Sequence, residues 1–335
     1  MATTRRVLDL ALQGGGAHGA FTWGVLDRLL EAPDLDIGRI SGTSAGALNA
    51  AALVTGYVRG GREGARRQLA LLWQKVAEAG FPLTFLLLLL LPLRKPGMGI
   101  WDDALPLLSP YQAHPLGLSS LRYILAQVVD VASLRQADAP PLFVNAVNVH
   151  TAQTHVFRPE TLSIDALMAS ACAPLLFPAV EIDGQAYWDG SYGANPMLWP
   201  LYEDSLDRDI LLVELTPLDR AETPLSAKNI LNRINEIAAI NGLLSELRAA
   251  DRLGRHAGGA TLRFHGLSLP DEVSRLQVEP SIKRTVALEL FETLRQTGHA
   301  ACDRWLAAHG DAVGVRSSLD IQARYLARDA AGRAA

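Results

Sequence analysis

Residues 7–13 form a short apolar run that stops at Gly14, Gly15 and Gly16. From Ala20 onward the apolar positions return at helical spacing, as Phe21, Val25, Leu26, Leu29 and Leu30. That order predicts a strand, a glycine turn and a helix. The pattern repeats at once. Residues 37–41 read as a second strand, Gly42-Thr43-Ser44-Ala45-Gly46 as a second tight turn, and Ala47, Leu48, Ala51, Ala52 and Val54 as a helix of small residues. Further strands are expected at 142–149, 154–157, 185–188, 210–215 and 261–264, each bounded by proline, glycine or polar residues, with helical patterns between them. His150 and His155 fall in an expected hairpin, and two long packing helices are expected at 227–253 and 286–306. Strands alternating with helices place the chain in the α/β class, and no repeat of fixed period divides it, so a single domain over 1–335 is expected. The glycine-rich run 60–64 and the tail after Asp329 are expected to be mobile.

Composition narrows the classes of function. Of 335 residues, 49% are hydrophobic and 20% charged, enough apolar material for a large core. The balance of 31 Lys+Arg against 35 Asp+Glu argues against nucleic acid as a partner, since binding by counterion release needs a concentrated basic face. Two cysteines, Cys172 and Cys302, exclude a disulfide scaffold and a four-thiolate zinc site. The apolar stretch after Arg5 and Arg6 is broken by Asp9, Gln13 and glycines, so it does not read as an export signal, and a reducing, cytoplasmic setting is expected.

Gly42 to Gly46 fits G-x-S-x-G between a strand and a small-residue helix, the context of a nucleophile elbow. Such a turn crowds its serine, so the neighbours two positions away must lack a Cβ. Ser44 is therefore the candidate nucleophile, against the alternative of an ordinary Gly/Ser turn. The loop from Gly14 to Gly19 has two chemical readings. Its backbone N–H groups before a helix suit an oxyanion hole. Gly14, Gly16 and Gly19 also satisfy a dinucleotide fingerprint, but that requires a carboxylate at the end of the second strand, and Asp34 and Asp36 precede the strand instead. For a base, His256, His265, His299 and His309 are available by position but lack a supporting motif. Asp189 follows a strand and precedes Gly190-Ser191-Tyr192-Gly193, a turn that would hold a carboxylate at a sheet edge, although Asp-Gly is also a common turn pair.

Four blocks then occur in order: Gly14-Gly15-Gly16-Ala17-His18-Gly19, Gly42-Thr43-Ser44-Ala45-Gly46, Ala169-Ser170-Ala171-Cys172-Ala173-Pro174 with Phe177-Pro178, and Asp189-Gly190. In order and approximate spacing the chain resembles the patatin-like phospholipases over about residues 7–216, while 217–335 follows in general helical character. The resemblance implies a three-layer α/β fold, with a central, mostly parallel sheet between helical layers, and a lipid acyl hydrolase. It also implies a dyad of Ser44 as nucleophile and Asp189 as base, an oxyanion hole from the N–H groups of Gly15 and Gly16, and no metal or organic cofactor. The alternatives are a nucleotide-binding oxidoreductase and a noncatalytic lipid-binding member of the fold. Two positions depart from the family's usual residues. His18 stands where Arg or Lys is common, which makes a headgroup or site contact there titratable. Ser191 stands where Gly or Ala is common and adds a hydroxyl.

One more segment bears on lipid. Residues 81–93, opened by Phe81 and closed by Leu93, hold six consecutive leucines between Pro82 and Pro92. As a helix the segment reaches only about 20 Å against a hydrocarbon core of about 30 Å, so it cannot span a bilayer. The expected roles are a buried core helix or a flap that docks peripherally on the inner membrane surface. Seven basic residues against two acidic ones over 59–95 favour the flap.

Overall fold

The computed structural model describes residues 5–90, 111, 116–174, 177–256, 262–270 and 288–326. β1 (Arg6–Leu12) leads through a 3-10 turn into α1 (Gly19–Glu31), and β2 (Leu35–Gly42) leads into α2 (Ala45–Leu90). After α3 (Leu116–Val128) and the short α4 (Val131–Leu134) come β3 (Leu142–Asn148), β4 (Thr154–Phe157), α5 (Ile164–Ser170), β5 (Val180–Ile182) and β6 (Gln185–Asp189). The chain continues with α6 (Trp199–Tyr202), β7 (Arg208–Glu214), α7 (Ala227–His256), β8 (Leu262–Ser268) and α8 (Leu288–His309). The expected strands and both late helices are present within a few residues. β5, only three residues long, has too short a pattern to be seen in the sequence.

The sheet order is β5-β6-β3-β2-β1-β7-β8, with β4 paired to β3 off that path. β1, β2, β3, β7 and β8 pair in parallel, while β4, β5 and β6 add antiparallel pairings. The sheet is thus mixed but mostly parallel, with helices on both sides. β7 shows why its strands read as continuous apolar runs: Leu211 and Val213 enter one core with α1, α2 and α8, and Ile210 and Leu212 enter the other with α6 and α7. α1 and α8 cross at backbone contact. A Cβ on Gly24 would stand 1.9 Å from the Arg295 carbonyl oxygen, and one on Gly298 would stand 2.0 Å from that of Phe21.

One expectation is corrected. The run 60–64 is a kink within α2, where Gly60 and Gly61 leave helical geometry and Gly61 takes φ 58. Next to it Arg62 donates to the carbonyls of Ala32 and Leu35 and pairs with Asp36, which ties the kink to the start of β2. The basic excess that favoured a docking flap is also largely consumed by ion pairs: Arg59 with Asp130, Arg62 with Asp36, Arg66 with Asp27 and Glu31, Arg67 with Glu63, and Lys75 with Glu78. The side chains of residues 81–93, together with Arg94, Lys95 and the tail after Asp329, lie outside the described residues. Among the described residues no helix is long and apolar enough to cross a membrane.

Candidate functional site

The parallel strands β1 and β2 end at the glycine loop and the Ser44 turn. Ser44 takes φ 52, a left-handed conformation that a serine adopts at a cost and that defines the elbow. Its flanks explain why the turn needs glycine. A Cβ on Gly42 would stand 2.8 Å from the Ala47 backbone, and one on Gly46 would stand 2.2 Å from the Leu12 carbonyl oxygen. The turn is closed by Gly46 N–H donating to the Thr43 carbonyl at 2.8 Å, and the Ser44 N–H donates to the buried Ser170 hydroxyl at 2.9 Å.

Asp189 arrives from another part of the sheet. Ala146 of β3 pairs with His155 of β4 and with Asp189 of β6, so those two strands lie on opposite edges of β3. Val144 pairs with Phe157 of β4 and with Gly42 of β2, which puts β2 on the same edge as β6. β6 runs antiparallel to β2, and the two strands therefore end facing each other, two residues apart along β3. The Ser44 side chain meets the Asp189 carboxylate across that junction. β6 lies between β5 and β3, and Asp189 ends it two residues beyond its last pairing with β5, at Tyr187. The carboxylate is buried, and desolvation raises its pKa. The N–H and hydroxyl of Ser191 and the hydroxyl of Ser44 oppose that rise.

The glycine loop touches the elbow, since a Cβ on Gly14 would lie 2.7 Å from the Ser44 Cβ. Gly15 and Gly16 follow immediately, Gly16 at φ 58, and His18 caps α1 with its side chain buried. The structure thus brings Ser44, Asp189 and the Gly14–Gly16 loop together at one end of the sheet.

A set of buried amides holds these three pieces, and sequence patterning did not single them out. Asn145 accepts from the Thr43 hydroxyl at 2.6 Å and donates to the carbonyls of Gly190 at 3.0 Å and Ala194 at 2.9 Å. Asn195 clamps Gly14, accepting from its N–H at 2.6 Å and donating to its carbonyl at 3.3 Å. Gln13 accepts from the N–H groups of Leu215 and Thr216. The available signal was an amide inside an otherwise apolar strand, as Asn145 is in β3, because a buried amide persists only with partners.

The late histidines with described side chains, His265, His299 and His309, do not join the site. His265 is fully buried in β8, with Nε2 3.0 Å from Asp209 Oδ1 and Nδ1 2.8 Å from the Ser318 hydroxyl. This Ser-His-Asp chain sits near the start of β7, at the opposite end of the parallel strands from Ser44, and it fastens the segment after α8 to the sheet. Burial works to raise the Asp209 pKa, but bonds from His265, Arg263 and the Gly314 N–H outweigh it and hold the carboxyl at about 2. His299 bonds to Glu31, His309 is exposed, and the side chain of His256 lies outside the described residues.

Nor is a dinucleotide acid in place. Asp34 pairs with Arg6, and Asp36 with Arg5 and Arg62. Among the described residues one group has the ligand spacing of a cation site, Asp27 with Glu31 and His299. There the guanidinium groups of Arg66 and Arg295 already meet Asp27, and Arg66 also meets Glu31, so the residues present do not suit a metal.

The family model for patatin-like phospholipase matches residues 10–202, a span that includes the glycine loop, the elbow and the Asp189 turn. The chain belongs to the patatin-like phospholipase family. Among solved structures, this family member is similar to VipD from Legionella pneumophila, with 16% identity, 91% of this chain and 67% of that chain covered, and a TM-score of 0.41. It is also similar to the type III effector protein ExoU, with 17% identity, 93% and 54% covered, and a TM-score of 0.37. A third is full-length ExoU in complex with SpcU, from the type III secretion system of Pseudomonas aeruginosa, at 18% identity, 88% and 54% covered, and a TM-score of 0.32. The chain spans about half the length of the ExoU chains. No curated protein matches it.

Proposed function

We propose that this patatin-like protein hydrolyses carboxylic ester bonds of lipids, with Ser44 as nucleophile and Asp189 as general base. The observation that carries this reading is Ser44, presented on a left-handed elbow with its side chain against a buried carboxylate, beside a glycine loop. Burial supports the role of Asp189, because a desolvated carboxylate is a stronger base than one in water. As the Ser44 oxygen attacks the ester carbonyl carbon, its proton passes to Asp189. The negative charge that develops on the carbonyl oxygen is met by the N–H groups of Gly15 and Gly16. Collapse of the tetrahedral intermediate expels the alcohol or lysolipid, which takes the proton from Asp189, and leaves Ser44 acylated. Water, losing a proton to Asp189, then attacks the acyl-enzyme, and the fatty acid leaves as the proton returns to Ser44. His18, buried at the N-cap position of α1 beside this loop, is the candidate headgroup or site contact.

The test is a fluorophosphonate probe with mass-spectrometric location of the adduct, followed by hydrolysis of p-nitrophenyl esters and phospholipids. Ser44 is expected to carry the label, and Ser44→Ala to lose both labelling and several orders of magnitude of hydrolysis while staying folded. Binding to lipid vesicles with no labelling and no fatty-acid release would instead indicate a noncatalytic lipid-binding member.

A further inference from the structure

α7 flanks the Asp189 turn with its N-terminal half. The Tyr192 hydroxyl donates to Asn235 at 3.0 Å, and a Cβ on Gly242 would stand 2.3 Å from the Gly193 carbonyl oxygen. On the outer face of the same half Ile230, Ile234 and Ile237 recur at helical spacing and are 42%, 54% and 44% exposed, while Leu225, just before the helix, is 89% exposed. Arg248, Arg252 and Arg255, all exposed, continue that face about five turns further along. Two of the three acids of α7 are turned inward. Glu236 is buried against Arg220 and Arg233, and Glu246 accepts from the N–H groups of Leu198 and Trp199. The third, Asp251, pairs with Arg255. The outer face is therefore apolar beside the catalytic turn and basic beyond it.

We infer that the outer face of α7 is the surface by which this protein docks on an anionic bilayer, its isoleucines entering the interface and its arginines meeting the lipid phosphates. The inference rests on the function proposed above, which takes its ester from lipid. An apolar half and a basic half in line on one helix face match the two layers of such an interface. The acyl boundary takes the side chains that gain by leaving water, and the phosphates take the guanidinium groups. A helix lying in the interface buries its apolar face only about 5–10 Å deep, which suits reversible docking. The half that enters is the half fixed to the Asp189 turn through Asn235 and Gly242, so docking brings that turn to the depth at which ester groups lie.

The experiment is sedimentation with vesicles of phosphatidylcholine, with and without phosphatidylglycerol, using the full chain carrying Ser44→Ala so that no lipid is consumed. Three variants are made in this parent: Ile234→Gln with Ile237→Gln, Arg248→Gln with Arg252→Gln, and Val315→Gln, which alters an apolar side chain 70% exposed after α8. The isoleucine pair should weaken binding to the phosphatidylglycerol vesicles by about 10-fold or more. The arginine pair should remove most of the preference for phosphatidylglycerol, and Val315→Gln should bind as the parent does. A parent that sediments with neither vesicle overturns the inference, as does either pair that binds as the parent does. Sedimentation velocity on the same proteins tests the other occupant: a parent that self-associates, with the isoleucine pair monomeric yet equally bound to vesicles, assigns the face to a second copy and overturns the bilayer. If the isoleucine pair does not fold, Ile234→Ser alone decides in the same way. Hydrolysis of a soluble short-chain ester is measured separately with Ser44 intact, and its absence counts against the Ser44 reading without touching the vesicle result.

Discussion

The Ser44 side chain meets the Asp189 carboxylate because the strands that lead to them end against the same edge of β3 from opposite directions. The two residues are 145 positions apart in sequence, yet Gly42 pairs with Val144 and Asp189 with Ala146, so their strands stop two residues from one another. In the proposed reading this geometry makes the carboxylate the base available to Ser44, while His265 and His299 are engaged by Asp209 and Glu31.

Asp189→Asn keeps the size of the side chain but removes the base. Ester hydrolysis is expected to fall about 10²- to 10⁴-fold at the pH optimum, with the melting curve little changed. Steady-state kinetics on a soluble short-chain ester check this, and near-normal turnover would remove Asp189 from the mechanism.

His265→Ala separates a structural triad from a catalytic one. Losing the bonds to Asp209 and Ser318 and opening a cavity beside Trp305 should lower stability by about 2–4 kcal/mol. The folded fraction should keep its kcat/KM. Urea unfolding and ester kinetics on the same preparation give both numbers, and a folded but inactive variant would make His265 part of catalysis.

Asn145→Leu cuts the tie between the elbow and the Asp189 turn and leaves the Gly190 and Ala194 carbonyls without the amide. A loss of about 1–3 kcal/mol in stability is expected. kcat should fall by about 10-fold or more while KM moves little, because the dyad loosens without a change in the binding surface. Asn145→Asp should not restore activity, since it cannot donate to those carbonyls. A KM effect with unchanged kcat would contradict this account.

Asp9 gives stability a pH dependence of its own. Burial raises its carboxyl to about 6, against smaller opposing contributions from the Arg39 N–H and from Arg208. Because the folded value lies above the unfolded 3.8, the contribution of Asp9 is intact below about 3.8 and is lost as pH rises through about 6. Asp9→Asn keeps an oxygen for the Arg39 N–H and removes the buried charge. It should therefore stabilise the protein above pH 6 by on the order of 2–3 kcal/mol, a gain that fades toward the unfolded value. Urea midpoints across this range measure it, and a gain independent of pH would show that the charge is not its source.

The sequence by itself determined the local pieces of this protein. Period-2 and period-3.6 apolar patterns placed the long strands and helices, the double strand-glycine-helix opening placed the loop and elbow, and Asp189-Gly190 marked an acid in a turn. These are properties of short stretches, set by backbone sterics and by which face of an element must leave water. Only the tertiary structure decided which of the candidate bases meets Ser44, because the choice depends on the edge of β3 to which β6 pairs. It also decided that His265 serves as a fastening at the far end of the sheet, that the glycines at 60 and 61 form an anchored kink, and that Asn145 and Asn195 join three distant segments. A buried amide or carboxylate takes its role from the partners that complete its hydrogen bonds, and in this fold those partners lie up to 268 residues away.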